Sequence, residues 1–508
     1  MVFRFSRRRM MQGVGSAALA QSLETANAAP APRTWPILEG PDTPKLCLSA
    51  GDAGSPLPAG VVFPAGGAGG RGGAARGGAA PGGAAPGGAA PGAAGAGAAA
   101  GRGGRGGGGY GGFLAPSAAP APAPAPAPAQ EGGRATMIPA DAAGRGGRGF
   151  GGNPFANAQR ILQLGVTHLL GVGIGGNPWT EESVRRVVES AKAVGLVAYN
   201  SMMGIPNSII YGRDTRAKDM ETVIASIEAA GKGGLPVIEY NFYAHRAIEG
   251  YYETVGRARA GYTGFDYDLE LLVDEYGTVV GPIYRDEKGQ ITPETLAAFP
   301  NAKKVKFRDL PALPNEGAHN LEEMFANVTY FLKAAIPAAE KAGVRMALHP
   351  NDPPAPISRG SQQIMGSVAG WKRFADIVKS PANGITFDSG VTREMGDNPV
   401  EVADYFAKRK QINHVHYRNV QVVKPYEKYQ EVFIDMGMGD MFGVMKALVR
   451  NKYTGTIYPE HPRALDNDRD RVGPGNRLGG YPGGGGPTGI TYSVAYTRAM
   501  LQAALETV

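Results

Sequence analysis

Residues 320–350 read NLEEMFANVTYFLKAAIPAAEKAGVRMALHP, and this stretch contains one helix pattern followed at once by one strand pattern. From Asn320 onward the apolar residues recur with the spacing of an amphipathic helix. From Val344 the run VRMALHP is short and apolar, which is typical of a buried strand. A helix that leads into such a strand is the repeating unit of a parallel sheet.

The same rhythm recurs along the chain, and it predicts eight strands. Helix patterns separate them, such as TEESVRRVVESAKAVG, in which Thr180 can cap the first turn and Gly195 ends the segment. Eight strands favour a closed (β/α)8 TIM barrel, an α/β fold, over an open doubly wound sheet of about five to seven strands. The other seven strand patterns are KLCLSAG from Lys45, THLLGVG from Thr167, GLVAYNSM from Gly195, LPVIEYNF from Leu235, GITFDSG from Gly384, INHVHYRNV from Ile412 and GTIYPEHP from Gly455.

Gly and Pro are concentrated in one block, residues 51–152, which holds 35 of the 77 Gly and 13 of the 40 Pro. This block has almost no aliphatic residue that could build a core, so we predict a disordered Gly/Ala/Pro-rich insertion after the first strand. The barrel would then start in residues 29–50 and continue through 153–508. Pieces such as RGGRGGGGYGG also occur in segments that bind single-stranded nucleic acid. Ala and Pro dilute them here, so we favour a spacer and expect no nucleic-acid partner.

The first 28 residues have the pattern of a twin-arginine export signal. The sequence FSRRRMM from Phe5 precedes the apolar stretch GVGSAALAQSL, and Ala26-Asn27-Ala28 offers a small-residue cleavage site. We therefore expect an exported, periplasmic protein. The alternative is a basic start without a targeting role, which would leave the protein in the cytoplasm. No other run approaches the ~20 apolar residues of a membrane-spanning helix.

A polar and aromatic segment, about residues 245–320, interrupts the alternation of strands and helices. It includes YYETVGRARAGYTGFDYD and follows the fourth strand pattern. An excursion at this point could cover the active site as a lid. The alternative is a packed excursion without a role in catalysis.

Polar side chains follow four consecutive strand patterns, and they are the candidates for a metal site. His349, Asp388, His416 and Glu460 each lie at the end of a strand, about one βα unit apart. In a barrel the carboxyl ends of the strands surround the active site, so the four side chains can converge. Two imidazoles and two carboxylates suit Mn²⁺, with Fe²⁺, Co²⁺, Zn²⁺ or Mg²⁺ as alternatives. The competing interpretation is that the histidines are buried core residues without a metal.

Two further observations limit this site. Cys47 is the only cysteine, so a thiolate cluster and an intramolecular disulfide are both excluded. His414 shares a strand face with His416, but it lies two residues before the strand end. We expect His414 to be a neighbour in the barrel interior.

Beyond these patterns, the chain resembles the D-mannonate dehydratases from about Asn157 to the C-terminus. The resemblance rests on the helix and strand of residues 320–350 with the following NDPPAPI, and on dispersed motifs in the same order. These motifs are YNF at 240–242, ANGITFDSG, HVHYRN, GDMFGVMKAL, YPEHP and a late Gly-Tyr. The resemblance implies the xylose-isomerase-like barrel and the dehydration of D-mannonate to 2-dehydro-3-deoxy-D-gluconate, a step of hexuronate catabolism.

Residue roles follow from the resemblance one position at a time. His349, His416 and Glu460 match the metal ligands of the family, whereas Asp388 stands where the family usually has a cysteine. This replacement hardens the site and favours Mn²⁺ or Mg²⁺. His461 and Tyr481 match the proposed acid and base. Asn241 and Arg418 would hold the carboxylate and hydroxyls of the substrate.

Two other functions stay open at this point. A sugar isomerase or epimerase of the same barrel class would use the same metal, and a second carboxylate at an opposite strand end would favour it. A secreted carbohydrate-binding protein on a degenerate barrel would lack a metal ligand, and all four are present. We expect a small-molecule sugar acid as the partner, and a homo-oligomer is compatible with these patterns.

Overall fold

The computed structural model of this chain describes residues 40–49, 134–136, 158–286, 289–470 and 481–508. The chain divides into two units, residues 1–41 and 42–508, and the fold below is that of the second. The predicted export signal, residues 1–28, lies outside the described residues. So does the predicted insertion, apart from residues 134–136.

A sheet of parallel strands closes into the predicted barrel. Its order is β4-β3-β1-β17-β14-β13-β12-β6-β5. Only Tyr199 separates β4 from β5, so the two ends of this order are halves of one barrel strand, and eight positions close the ring. The strands are β1 (Lys45–Ser49), β3 (His168–Leu170), β4 (Val197–Ala198), β5 (Asn200–Met203), β6 (Val237–Tyr240), β12 (Arg345–Leu348), β13 (Asn383–Asp388), β14 (Ile412–His416) and β17 (Thr456–Tyr458).

Helices alternate with these strands, and their ends follow the local sequence signals. Thr180 caps its helix by accepting a hydrogen bond from the Ser183 amide, as the sequence predicts. Asn320 caps the long helix Leu321–Ala342, and Gly343 ends this helix at φ 69°, a conformation that glycine adopts without strain. The helices are α1 (Ala158–Gln163), α2 (Glu181–Ala193), α3 (Asn207–Ile210), α4 (Arg216–Gly233), α5 (Pro293–Ala298), α6 (Leu321–Ala342), α7 (Val368–Ile377), α8 (Ser389–Glu394), α9 (Pro399–Lys408), α10 (Met441–Arg450), α11 (Asp466–Asp470) and α12 (Pro487–Thr507).

The main core lies between the barrel and the helices around it. Leu348, Phe387 and Val415 on neighbouring strands are fully buried, and Phe331 of α6 belongs to the same cluster. Burying each such side chain stabilises the fold by about 1.5–3 kcal/mol. This packing holds the strand ends rigidly in place.

A second, antiparallel sheet accounts for the excursion at residues 245–320. Its order is β10-β2-β7-β8-β16-β15, and a separate pair joins β9 to β11. Phe265, Phe307 and Tyr429 pack in its own apolar core, so the excursion is folded. Its role as a lid stays a prediction. The strands are β2 (Arg134–Thr136), β7 (Tyr251–Val255), β8 (Gly261–Asp266), β9 (Glu270–Val273), β10 (Ile283–Arg285), β11 (Lys303–Lys306), β15 (Val420–Lys424) and β16 (Lys428–Glu431).

The hairpin β15–β16 is not among the strands that the sequence predicts. The run INHVHYRNV extends from Ile412 to Val420, and within it β14 ends at His416, as predicted, whereas Val420 already begins β15. Parallel pairing with β17 stops at His416 and Tyr458, whereas Val420 pairs with Glu431 instead. The chain thus leaves the barrel at His416 and enters the second sheet. Across the described helices, none has the length and apolar character needed to cross a membrane.

Candidate metal centre and active site

The structure brings together the four residues that the sequence predicts as metal ligands. His349 directly follows β12, Asp388 and His416 end β13 and β14, and Glu460 lies two residues beyond β17. All four are buried, and one ligand atom from each lies within 4.8 Å of the others. Asp388 and His416 are also register partners on neighbouring strands. The carboxyl ends of four adjacent strands therefore form one cluster.

The ligand atoms converge around Nδ1 of His416. This nitrogen lies 2.8 Å from Oε2 of Glu460 and 3.8 Å from Oδ2 of Asp388. It lies 3.2 Å from Nε2 of His349. Oε2 of Glu460 is buried, yet it accepts no hydrogen bond from any residue that the structure describes. Buried polar atoms normally have a partner, so this oxygen is suited to coordinating a cation.

Hydrogen bonds select the ring nitrogen that His349 turns toward the cluster. Its Nδ1 lies 2.7 Å from the Pro350 carbonyl, which can only accept, so Nδ1 carries the proton. Tyr243 also donates to this carbonyl, at 2.7 Å. Nε2 of His349 therefore keeps its lone pair for a metal ion. A backbone carbonyl behind the ring is the usual support of a metal-binding histidine.

Both histidines are held in the neutral form that metal binding requires. Burial, and then His416, lowers the pKa of His349 to about 3. Burial, and then His461, lowers the pKa of His416 well below its ordinary value. Neutral imidazoles keep a lone pair for coordination at neutral pH.

Asp388 is held by two kinds of contact. Its Oδ1 caps α8 by accepting from the Val391 amide at 2.8 Å, and its Oδ2 accepts from Nε of Arg418 at 3.0 Å. Burial raises the pKa of Asp388 to about 7, Glu460 adds to this effect, and Arg418 opposes it. A cation in the cluster would offset this repulsion between carboxylates. The donor set of two imidazoles and two carboxylates thus fits a divalent metal ion.

Arg418 lies in a buried ring of carboxylates. Its guanidinium contacts Asp388 at 3.0 Å and Glu394 at 2.7 Å, and it lies 3.3 Å from Asp352. Glu431 and Glu460 each lie 3.6 Å away. Carboxylates of the chain therefore face its Nε, Nη1 and Nη2 atoms. Binding of a substrate carboxylate by Arg418 stays a prediction.

The predicted acid and base lie side by side next to the cluster. Nε2 of His461 is 3.5 Å from Oε1 of Glu460, and the rings of His461 and Tyr481 lie 4.3 Å apart. The Tyr481 hydroxyl donates to the Pro462 carbonyl at 3.2 Å. Burial tends to lower the pKa of His461, but Glu431 and Glu460 outweigh burial and raise this pKa above its ordinary value.

Asn241 directly follows β6, one residue beyond Tyr240, whose register partner is Leu348. Asn241 and His349 therefore occupy equivalent positions just past neighbouring strands. Oδ1 of Asn241 is buried and has no hydrogen-bond partner among the described residues. An unsatisfied amide at the carboxyl end of the barrel is compatible with substrate binding.

Sequence patterns missed several residues that complete the site. Glu431 and Arg463 contact His461, and Glu239 lies 3.6 Å from Nε2 of His416. Asp352 belongs to the NDPP turn that carries the resemblance, which was the one available signal for it. Glu431 had none, because it lies in a hairpin outside the barrel. A second group with metal-ligand spacing consists of Asp352, Glu431 and His461. Its carboxylates already face arginines of the chain, Asp352 facing Arg418 and Glu431 facing Arg463, and these arginines neutralise their charge.

Comparison with known proteins agrees with this site. The family model described as D-mannonate dehydratase (UxuA) matches residues 157–500, more than half of the 508 residues. A mannonate dehydratase from Enterococcus faecalis is 28% identical over 324 residues, covering 61% of this chain and 86% of that protein. The one from Thermotoga petrophila is 28% identical over 331 residues, covering 59% of this chain and 82% of that protein.

The fold agrees with a solved structure as well. Mannonate dehydratase from Streptococcus suis serotype 2 superposes with a TM-score of 0.51 at 23% sequence identity. The match covers 68% of this chain and 89% of the other. This likeness confirms the barrel, and the family model covers the barrel strands from β3 to β17. The chain therefore belongs to the D-mannonate dehydratase (UxuA) family.

Proposed function

We propose that this enzyme is a hydro-lyase that converts D-mannonate to 2-dehydro-3-deoxy-D-gluconate. Membership in the family and the names of the relatives support this substrate. The observation that carries the proposal is the buried cluster of His349, Asp388, His416 and Glu460, with His461 directly beside it. Elimination of water beside a carboxylate requires a metal site and an adjacent acid and base, and His461 and Tyr481 stand in that place.

The four clustered residues would hold one divalent ion, and we propose Mn²⁺ first, with Fe²⁺, Co²⁺ or Mg²⁺ as alternatives. Two of the four ligands are carboxylates, and Asp388 supplies a hard oxygen rather than a thiolate. When bound, the ion supplies Lewis-acid stabilisation of the negative charge that develops on substrate oxygens.

The residues of the chain would move two protons. One leaves C2 of the substrate, and the other joins the C3 hydroxyl, which departs as water. The resulting enol loses the proton of its C2 hydroxyl and takes up a proton at C3, which gives the 2-keto product. We assign the two transfers to His461 and Tyr481, because their rings are adjacent and His461 lies against the ligand Glu460. General acid–base catalysis of this kind contributes about 10²–10⁴-fold to the rate.

Orientation of the substrate would fall to Asn241, whose buried Oδ1 lacks a partner among the described residues. For Arg418 the contacts support a first role in holding the ligand Asp388 by the 3.0 Å hydrogen bond. In this position the guanidinium also balances the negative charge of the surrounding carboxylates.

The proposal is tested by metal analysis and a keto-deoxy-acid assay on the same preparation. Purified wild-type protein with Mn²⁺ and D-mannonate should form product, and His349→Ala and Asp388→Ala should lose both bound metal and product. His168→Ala is the matched control, because His168 lies on β3 and outside the cluster. Metal binding without product would refute the substrate assignment, and wild-type protein that binds no metal would refute the metal site.

One observation bears on the alternative of an epimerase. Glu239 on β6 lies across the ring from Glu460, which follows β17. However, Glu239 accepts hydrogen bonds from Asn200 and Thr386, both at 2.8 Å, and it faces the Nε2 side of His416. The Glu239 carboxylate thus lies behind the imidazole of the metal ligand His416, and it is not arranged as a second acid or base. Dehydration without C2 epimerisation of the recovered substrate is the expected result.

We also propose export through the twin-arginine route, which rests on Arg7, Arg8 and the following apolar stretch. Replacing both arginines with lysine should retain the protein in the cytoplasm, as cell fractionation would show. Equal periplasmic amounts of the variant and the wild type would contradict this proposal. Self-association stays a prediction that light scattering can measure.

A further inference from the structure

Glu431 reaches the active site from outside the barrel. It ends strand β16 of the antiparallel sheet and is 1% exposed. Its Oε1 lies 2.9 Å from Nδ1 of His461, with hydrogen-bond geometry. A residue of the second sheet therefore contacts the ring to which we assign a proton transfer.

Arg463 prevents this carboxylate from turning away. Its Nη2 donates to Oε2 of Glu431 at 2.8 Å, and its Nη1 donates to Thr263 at 2.6 Å. Its Nε donates to the His461 carbonyl at 2.9 Å. The side chain of Arg463 is fully buried, so these bonds are shielded from water. Glu431 thus has one oxygen fixed on Arg463 and the other on His461.

The direction of the hydrogen bond decides the tautomer of His461. An ionised carboxylate only accepts, so Nδ1 of His461 must carry the proton that it donates to Glu431. In the neutral ring Nε2 then keeps the lone pair, and this atom faces Glu460 at 3.5 Å. His461 also has φ 47°, a left-handed conformation that is unfavourable for a residue other than glycine. Such strain persists where the surrounding contacts enforce it, and it is common at functional sites.

We propose that Glu431 is the positioning residue of His461, a role that deepens the proposed dehydratase function and rests on it. Glu431 fixes the imidazole as the Nδ1-protonated tautomer with Nε2 toward the metal centre. A carboxylate behind a catalytic histidine does the same in the serine-protease triad. The antiparallel sheet thereby contributes a residue to the chemistry of the site.

Glu431→Gln is the sharpest variant because it keeps the shape of the side chain and replaces the oxygen that lies 2.9 Å from Nδ1 of His461 and 3.6 Å from Nη1 of Arg418. Arg463 can only donate, so the amide oxygen of the glutamine should face Arg463. Its NH₂ group then faces Nδ1 of His461 and can only donate to it. His461 is driven to the opposite tautomer, with the proton on Nε2, while the fold and the ligands remain in place.

Two measurements on the full chain test the proposal. The first compares kcat, KM and bound metal of Glu431→Gln with wild type. We expect kcat to fall on the order of 100-fold with unchanged KM and metal content. Glu253→Gln is the matched control, because Glu253 lies on β7 of the same sheet and its carboxylate pairs with Arg469 rather than with His461 or Arg463. This control should keep the wild-type kcat.

The second measurement is the ¹⁵N NMR spectrum of the imidazoles, recorded with Mg²⁺ at alkaline pH, where His461 is neutral. The chain has seven histidines, and His461→Gln identifies the signal of His461 by its loss. We expect the proton on Nδ1 in wild type and on Nε2 in Glu431→Gln. A wild-type proton on Nε2 would overturn the proposal, even if the variant failed to fold. An unchanged kcat in a folded variant would also overturn it.

The outcomes separate this inference from the proposed function. If wild-type protein forms no product from D-mannonate, the dehydratase proposal fails, yet the NMR spectra still decide the role of Glu431. If product forms and the tautomer is unaffected by Glu431→Gln, the dehydratase stands and the positioning role fails.

Discussion

Replacing Arg418 with methionine removes the cation that several buried carboxylates surround. Arg418 is 2% exposed and contacts Glu394 at 2.7 Å, Asp388 at 3.0 Å and Asp352 at 3.3 Å. Breaking a buried ion pair by removing one partner costs about 3–5 kcal/mol, because the other charge remains buried and uncompensated. We therefore expect Arg418→Met to lower the free energy of unfolding of the metal-free protein by about 3–5 kcal/mol near pH 8.

This loss should shrink as the pH falls. Burial already raises the pKa of Asp388 to about 7 and raises the pKa of Glu394 well above its ordinary value, with Arg418 opposing both. Without Arg418 these pKa values rise further above those of the unfolded chain. The folded variant then binds more protons than the folded wild type, so acid favours it by up to about 1.4 kcal/mol per pH unit and per group. Near pH 5 the difference from wild type should be smaller.

Urea unfolding of the metal-free proteins, followed by circular dichroism near pH 5 and pH 8, measures both effects. Arg373→Met is the control, because Arg373 pairs with Glu322 at the surface, where the two side chains are 45% and 74% exposed. It should change stability little and without pH dependence. A loss below about 1 kcal/mol near pH 8, or an equal loss at both pH values, would refute the view that Arg418 balances buried charge.

Three further outcomes follow from the same contacts. Asp388→Cys, which restores the thiolate implied by the family resemblance, should shift the metal preference from Mn²⁺ toward Zn²⁺ in competition binding, and an unchanged ratio would contradict the hard-ligand argument. The metal-free wild type should lose stability as pH rises from about 4 to 7, because the pKa of Asp388 is about 7 in the folded state and about 3.9 unfolded. Mn²⁺ should offset this loss, and Asp388→Asn should reduce it without abolishing it, because the raised pKa of Glu394 causes a loss of the same sign. Thermal melts at each pH measure the dependence, and an equal dependence in the variant and the wild type would contradict its assignment to Asp388. Glu239→Ala leaves Asn200 and Thr386 without their acceptor, and it should lower the free energy of unfolding by about 1–3 kcal/mol for each of these two partners. Glu239→Gln should cost less. Urea titrations compare the two variants, and equal losses would argue against these hydrogen bonds.

The barrel and the metal cluster could be predicted from the sequence, because both depend on local patterns. Each strand is a short apolar run, and the residue at its end falls at the carboxyl edge of the barrel whatever the rest of the chain does. His349, Asp388, His416 and Glu460 were identifiable for this reason, and the structure places their ligand atoms within 4.8 Å of one another. The helix caps at Thr180 and Asn320 are local signals of the same kind.

Contacts between distant segments had no such signal. The hairpin β15–β16 could not be predicted, because pairing of Val420 with Glu431 depends on where β14 leaves the barrel. The partners of Arg418 likewise come from separate elements, and only folding brings Asp352 to it.

The sequence by itself thus determined the alternation of strands and helices and the ligands at the strand ends, since hydrophobic periodicity and strand termini are properties of neighbouring residues. Only the tertiary structure decided what orients those groups. Glu431 lies 30 positions from His461 in the chain, and it belongs to the antiparallel sheet, whereas His461 follows a strand of the barrel. Its Oε1 is nevertheless 2.9 Å from Nδ1 of the His461 imidazole. Such a contact arises when two sheets pack together, and no periodicity along the chain records it.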